Sequence, residues 1–370
     1  MMVRPLIVAG LAFMLAARTP AEFATPRPHV RWQYSAPAWG TPAVDAGHVY
    51  FMTRDGEVLS LDARTGRQLW RRRIGPADQT PLGSRIVMAG EVAIAGNYDI
   101  VALDRESGRE QWRFQPPDGY GAGIYLGDAR AGRLFTGSPS GRLYAIDAAS
   151  GTRLWSLPVA SGARATVFAP VADDDLVVAG FSIFAGRTTG GVIAADARTG
   201  AVRWQMSFPE SAVLKANSGW AGGPAMAHDM VFAATADGSV YGIDRETGRI
   251  RSVVVRGHGS QPDFRAMTLT GGQLMLGSLT GDVAAYGITD RQRRWRVNGD
   301  DMGSVGFAIA ADRDDVYVPY LGGRLTAIAV ADGRERWRTT REQGAFFWVP
   351  GADAATVFAA GADSLTAFSR

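Results

Sequence analysis

The stretch Gly56-Glu57-Val58-Leu59-Ser60-Leu61-Asp62-Ala63-Arg64-Thr65-Gly66-Arg67-Gln68-Leu69-Trp70 decides the fold, because the chain repeats it. It returns as Asp99 to Trp112, Gly141 to Trp155 and Gly191 to Trp204, with Asp, then Gly, then Trp at the same offsets. A fifth copy, Gly238 to Ser252, keeps Asp244 and Gly248 but puts Ser252 in the Trp position. The sixth, Gly281 to Trp295, has Gly287 in place of the Asp, and the seventh, Gly323 to Trp337, has Ala329 there. An eighth, Ser364 to Arg370, carries no Trp. Successive tryptophans from Trp70 to Trp204 stand 42, 43 and 49 residues apart. Units of about 40–45 residues, each with room for four short strands, are the blades of a propeller.

Working outward, each copy is preceded by two further strand signals. In the first, Thr41 to Val44 leads into an Asp45-Ala46-Gly47 turn, then His48 to Thr53, then a second turn at Asp55-Gly56. Equivalent turns fall at Gly90, Gly132, Asp174, Asp229, Gly272, Asp314 and Ala355, and no helix-period segment interrupts the series. The eighth unit lacks an outermost strand, while Val30-Arg31-Trp32-Gln33-Tyr34 stands spare at the other end of the chain. The expectation is an all-β, eight-bladed propeller of four-stranded antiparallel blades, closed by the N-terminal strand pairing with the C-terminal blade.

Within the repeat, a branched residue (Val58, Ile100, Leu143, Val192, Val240, Val283, Leu325, Leu365) is followed two places on by a small one (Ser60, Ala102, Ala145, Ala194, Gly242, Ala285, Ala327, Ala367). Positions two apart share a sheet face. The small residue leaves room for an aromatic ring from a neighbouring strand or blade. Trp32, Trp70, Trp112, Trp155, Trp204, Trp295 and Trp337 are the natural occupants. The five evenly spaced Asp residues read as turn acceptors, not as paired catalytic carboxylates, and the glycines four places on supply positive φ.

Composition narrows the function. Hydrophobic residues make up 46% of the 370 and charged ones 20%, an ordinary globular balance. Cysteine is absent, which excludes disulfides, thiolate nucleophiles and a lipid-modified N-terminal Cys. Lys215 is the sole lysine, and the formal charge of +3 gives no electrostatic case for a nucleic-acid partner. His29, His48, His228 and His258 are scattered without ligand spacing, and Gly119-Tyr120-Gly121-Ala122-Gly123 has no helix after it, so neither zinc nor a phosphate loop is expected. No catalytic constellation is found.

Met1 to Arg4 and the apolar run Leu6 to Ala17 read as an export signal, cleaved after Ala17 or Ala21. The expected organisation is a signal at 1–21, a linker at 22–29 and a single propeller over 30–370.

Subtracting the repeat leaves candidate contact residues. Trp39, Trp220 and Trp348 are non-repeat tryptophans expected in blade-to-blade crossings, with Phe346 beside the last of them. Phe184 and Arg187 fall in what reads as a large loop of blade four, 181–191. Aromatics where the repeat demands none form a contact surface or plug the central channel.

The Ala-Leu/Ile-Asp-x-x-Thr/Ser-Gly-x-x-x-Trp sentence resembles the quinoprotein-type propeller repeat, and the resemblance runs from Val30 to Arg370. Two classes share it. Quinone-dependent dehydrogenases hold pyrroloquinoline quinone and calcium in the channel. The BamB family of the outer-membrane β-barrel assembly machinery is a cofactor-free scaffold. The first class often covers the quinone with adjacent cysteines, absent here, and no Asp base with Glu/Asn calcium ligands can be matched. The second fits the length, the blade count, the closing strand and export. It implies contacts to the barrel-forming subunit at positions similar to Leu214, Lys215 and Asp263, although Lys for Arg loses a bidentate fork and the lipobox Cys is missing. The resemblance therefore implies a non-enzymatic, exported, monomeric scaffold with a protein partner, periplasmic or secreted and peripheral at the outer membrane, needing no cofactor. The alternatives are a secreted binding module of other specificity and a quinone enzyme.

Overall fold

The computed structural model describes residues 26–76, 85–96, 99–117, 125–159, 164–185, 187–208, 223–235, 238–257, 264–299, 303, 305, 308–340, 348 and 350–370. The export signal expected at 1–21 lies outside them.

Strands β1 (Val30–Ser35), β2 (Ala38–Asp45), β3 (His48–Thr53), β4 (Glu57–Asp62) and β5 (Gln68–Arg73) set the pattern. β2 to β5 form one antiparallel meander, with β2 innermost and β5 outermost. The same meander recurs to give eight sheets, and no helix occurs among the described residues. Blade four differs in that its innermost strand is split, Arg164–Val167 and Val171–Ala172 both pairing with Leu176–Ala185.

β1 does not belong to the first blade. It pairs antiparallel with the last strand, Ser364–Ser369, in the register Trp32↔Ala367, Gln33↔Thr366 and Tyr34↔Leu365. Its sheet is completed by Thr356–Ala360 and Gly351–Ala352. The two ends of the chain thus share blade eight, and the ring closes as the spare strand implies.

The branched residues of the repeat strands, from Val58 to Leu365, are all fully buried. The buried side chains fall into eight clusters, each drawn from two neighbouring blades: residues of blades one and two in one, of two and three in the next, and so round to eight and one. The apolar core therefore lies in the seams between blades, where each sheet packs face to face with the next.

The turn chemistry follows the repeat. Asp62 Oδ1 accepts from the Thr65 N–H and hydroxyl, each at 2.7 Å, and Asp104, Asp147, Asp196 and Asp244 do the same with the residue three places on. Gly66 has φ +72°, and its copies 108, 151, 200, 248 and 333 lie close to it.

The tryptophans do more than the sequence implies. Each stands opposite the small residue of its own blade, as Trp70 opposite Ser60. In all but Trp337 the ring also lies flat on the turn glycine of the following blade, so that a methyl group built on Gly66 would meet Trp32 at 2.7 Å, and one on Gly108 would meet Trp70 at 2.6 Å. The glycine is needed twice there, for its backbone and for its missing side chain. The indole N–H then donates to a carbonyl of that same next blade, at 2.6–3.3 Å in six seams.

Candidate functional site

Two expectations about placement are corrected. Trp39 is not in a crossing; it is the second residue of β2, paired with Met52. Its backbone reaches a register shift beside Gly40, at φ +86°, which lets an apolar strand start carry a bulky side chain. The segment 181–191 is not a loop. Leu176–Ala185 and Arg187–Asp196 pair all the way to Ala185↔Arg187, making a long hairpin with Phe181 and Ser182 buried at its base. The three glycines 186, 190 and 191 disguise a run whose β-branched Ile183 and Thr189 face each other across the strands. The backbone of Phe184 and Arg187 lies in this hairpin. Leu214, Lys215, Trp220, Asp263 and Phe346 fall outside the described residues.

The structure does bring two of the candidates together. Trp39, at the end of β2 nearest the blade-to-blade crossings, meets Trp348 edge to face, with ring centroids 4.8 Å apart at 63°. The Arg54 guanidinium, from the turn between β3 and β4, sits 5.4 Å from the Trp39 ring centre. Both indoles are half-buried, Arg54 is exposed, and Trp348 packs against the seam between blades eight and one. A cation over one ring and an edge-to-face partner beside it make a rigid aromatic platform, at little entropic cost to a binding surface.

The opposite face carries a feature that sequence reasoning missed. In blades two, five and eight an arginine follows the Asp position of the repeat, and each reaches back to an aspartate in the turn between the two inner strands of the preceding blade. Arg105 meets Asp45 at 3.3 Å, Arg245 meets Asp173, and Arg370 meets Asp312 at 2.7 Å. The signal lay in the pairing of an Asp-containing inner turn with an Arg in the next blade, 60 residues on for Asp45 and 72 for Asp173. Burial pushes the Asp173 carboxyl up, but the hydrogen bond from Arg245 and the Leu176 and Asp175 N–H groups outweigh it and hold it below the usual range. Asp312 is likewise held low against burial, by the Tyr317 hydroxyl and backbone N–H groups. The aspartate runs 173–175 and 312–315 thus serve turns and seams.

On the same face a cavity of about 920 Å³ lies between the inner ends of blades three to six, lined among others by Asp128, Asp173, His228, Arg245, Met226 and Met267. Asp128 is tied to the Ala172 N–H at 3.1 Å and to Arg85 at 3.5 Å. Among the described residues no three His, Cys, Asp or Glu side chains converge as metal ligands, and the acidic groups Asp128 and Asp173 at this mouth are already held by arginine.

Comparison with known proteins places this architecture. The chain is 25% identical over 322 residues to the outer membrane protein assembly factor BamB of Burkholderia pseudomallei, covering 83% of this chain and 74% of that one. The crystal structure of BamB from Moraxella catarrhalis superposes with a TM-score of 0.66 at 19% identity, over 92% of this chain and 97% of that one. A quinohemoprotein alcohol dehydrogenase from Pseudomonas putida shares the fold with a TM-score of 0.67 at 14% identity, over 92% and 75%. The family model described as outer membrane protein assembly factor BamB matches residues 24–99, 96–180, 169–298 and 279–370. With that model matching blade after blade from 24 to 370, the chain belongs to the BamB family.

Proposed function

We propose that this protein is a non-enzymatic propeller scaffold of outer-membrane protein assembly, binding a protein partner of the barrel-assembly complex through its crossing face. The family match over nearly the whole chain carries the reading. The face agrees with it: Trp39, Arg54 and Trp348 form an aromatic platform outside the repeat. By position in the chain, Leu214 and Lys215 lie in the crossing from blade four to five, and Asp263 in the crossing from blade five to six. An exported chain working in the periplasm without a cofactor follows from the same reading. No helix among the described residues is long and apolar enough to cross a membrane.

The test is capture of the full-length chain from the envelope of its native host, with bound proteins identified by mass spectrometry. The expected partner is the barrel-forming subunit. Leu214→Glu and Trp348→Ala each reduce its recovery about tenfold without lowering the melting temperature, because a few anchors carry most of an interface's affinity and a carboxylate buried there is unpaired. Capture that fails in the wild-type chain, or that survives both substitutions intact, overturns the assignment.

A further inference from the structure

Among the described residues, seven of the eight seams contain a repeat tryptophan and the seam between blades five and six contains none. Both residues that would make that lock depart from the repeat. Ser252 stands opposite Gly242, where the other blades have Trp opposite a small residue. In blade six the turn glycine is replaced by Arg291, which still adopts left-handed φ, at +61°. Elsewhere a single carbon added at that turn position would lie under 3 Å from the indole. The Arg291 Cβ therefore bars a tryptophan from this seam, and the missing ring removes the steric reason for glycine while the left-handed backbone stays.

What remains there is poor. The Ser252 hydroxyl is buried without a hydrogen-bond partner among the described residues. The outer strand Ile250–Val255 has two register shifts against its neighbour, where the other outer strands have at most one. It also exposes two aliphatic side chains, Ile250 and Val253. Blade five is tied backward to blade four by Arg245 and Asp173 and by the Trp204 indole on the Arg245 carbonyl. Forward, towards blade six, it has the apolar cluster of Phe232, Val240, Phe264 and Leu276 but no indole lock.

We infer that the ring is built with a single opening point, the seam between blades five and six, which parts locally and reversibly while the other seams stay shut. Free energies of local opening follow the density of packed contacts, and this seam lacks the largest contact that its neighbours share. The cavity on the turn face is walled by Arg245 and Glu246 of blade five and by Met267 and Leu269 of blade six, so the same motion widens it.

The absence of cysteine permits a direct test on the full chain. Ala284 of blade six and Val101 of blade two occupy the same place in their repeat, and both are buried at a seam, the first at five/six and the second at one/two. With a maleimide reagent under native conditions, the Ala284→Cys thiol labels at least about tenfold faster than the Val101→Cys thiol; global unfolding would expose both alike. Adding Ser252→Trp with Arg291→Gly slows labelling at position 284 towards the rate at 101. Limited trypsin treatment of the wild-type chain, whose turns offer arginine in almost every blade, cuts first at Arg251, Arg256, Arg291 or Arg293. Labelling rates within about twofold of each other, no change on adding the two substitutions, or first cuts spread evenly round the ring would overturn the inference.

Discussion

At the scale of the residue, what a tryptophan does depends on which neighbour it was given. Trp70 fills a seam, lies on Gly108 and donates to the Arg105 carbonyl at 2.9 Å, whereas Trp348 meets Trp39 edge to face at the crossing face. Trp70→Ala is expected to cost about 3–5 kcal/mol, a large aromatic removed from a packed site. Trp348→Ala should cost under about 1.5 kcal/mol, as a half-buried surface change does. Urea melts of the two variants check the ordering, and equal losses would erase the division between repeat and platform. The turn aspartates make a second prediction. Hydroxyl donors at Thr65, Ser107, Ser150 and Thr247, each seconded by that residue's backbone N–H, hold Asp62, Asp104, Asp147 and Asp244 below the ordinary carboxylate range, and Arg203 does so first for Asp196. Folded values below the unfolded value of about 3.9 mean that their stabilisation is complete above that pH and is lost as pH falls through the folded values. The melting temperature should therefore drop between about pH 4 and pH 2, and Asp147→Ala should shallow that drop. A pH-independent melt over this window would show that the turns gain nothing from the charge.

At the scale of the element, β1 is the least local strand in the molecule, made at one end of the chain and used at the other. Deleting Val30 to Ser35 removes Trp32 from Gly66 and bares the edge of Ser364–Ser369. A loss of about 3–5 kcal/mol, with self-association through the open edge, is expected by sizing chromatography and thermal melts. A truncated chain that stays monomeric with an unchanged melt would refute closure by this strand. The exchanged pair in blades five and six gives a cycle. Ser252→Trp alone should destabilise by about 1–3 kcal/mol through overpacking against Arg291. The same change with Arg291→Gly should reverse sign, with a coupling of about 2 kcal/mol. Additive effects would mean that the two substitutions are unrelated. Strand boundaries and turns were legible because period-two burial and Asp-Gly chemistry are written within a few residues. The blade-four hairpin was not, since glycines at 186, 190 and 191 imitate a loop when cross-strand partners are unknown.

At the scale of the whole molecule, the fold leaves the activity open, because enzymes and scaffolds share the ring. Purified protein with added pyrroloquinoline quinone and calcium should show neither saturable micromolar binding nor alcohol-dependent dye reduction. A quinone must be held by stacking and a metal, and the acidic groups Asp128 and Asp173 at the cavity are already held by Arg85 and Arg245. Binding with turnover would replace the scaffold reading with a quinone enzyme.

Read alone, the amino-acid sequence determined the number of blades, the closing strand and the chemistry of the turns. Blade count and turns come from a local pattern repeated along the chain, and the closing strand from the count itself, one strand spare at the start and one missing in the eighth unit. Only the tertiary structure decided what lies across a seam. Trp112 donates to the Ala148 carbonyl 36 residues away. Arg370 clasps Asp312, and Trp39 of blade one meets Trp348 from the far end of the chain. Those contacts exist because closing the ring brings successive blades face to face, and which side chains then meet, unlike a turn, leaves no mark in any short run of residues.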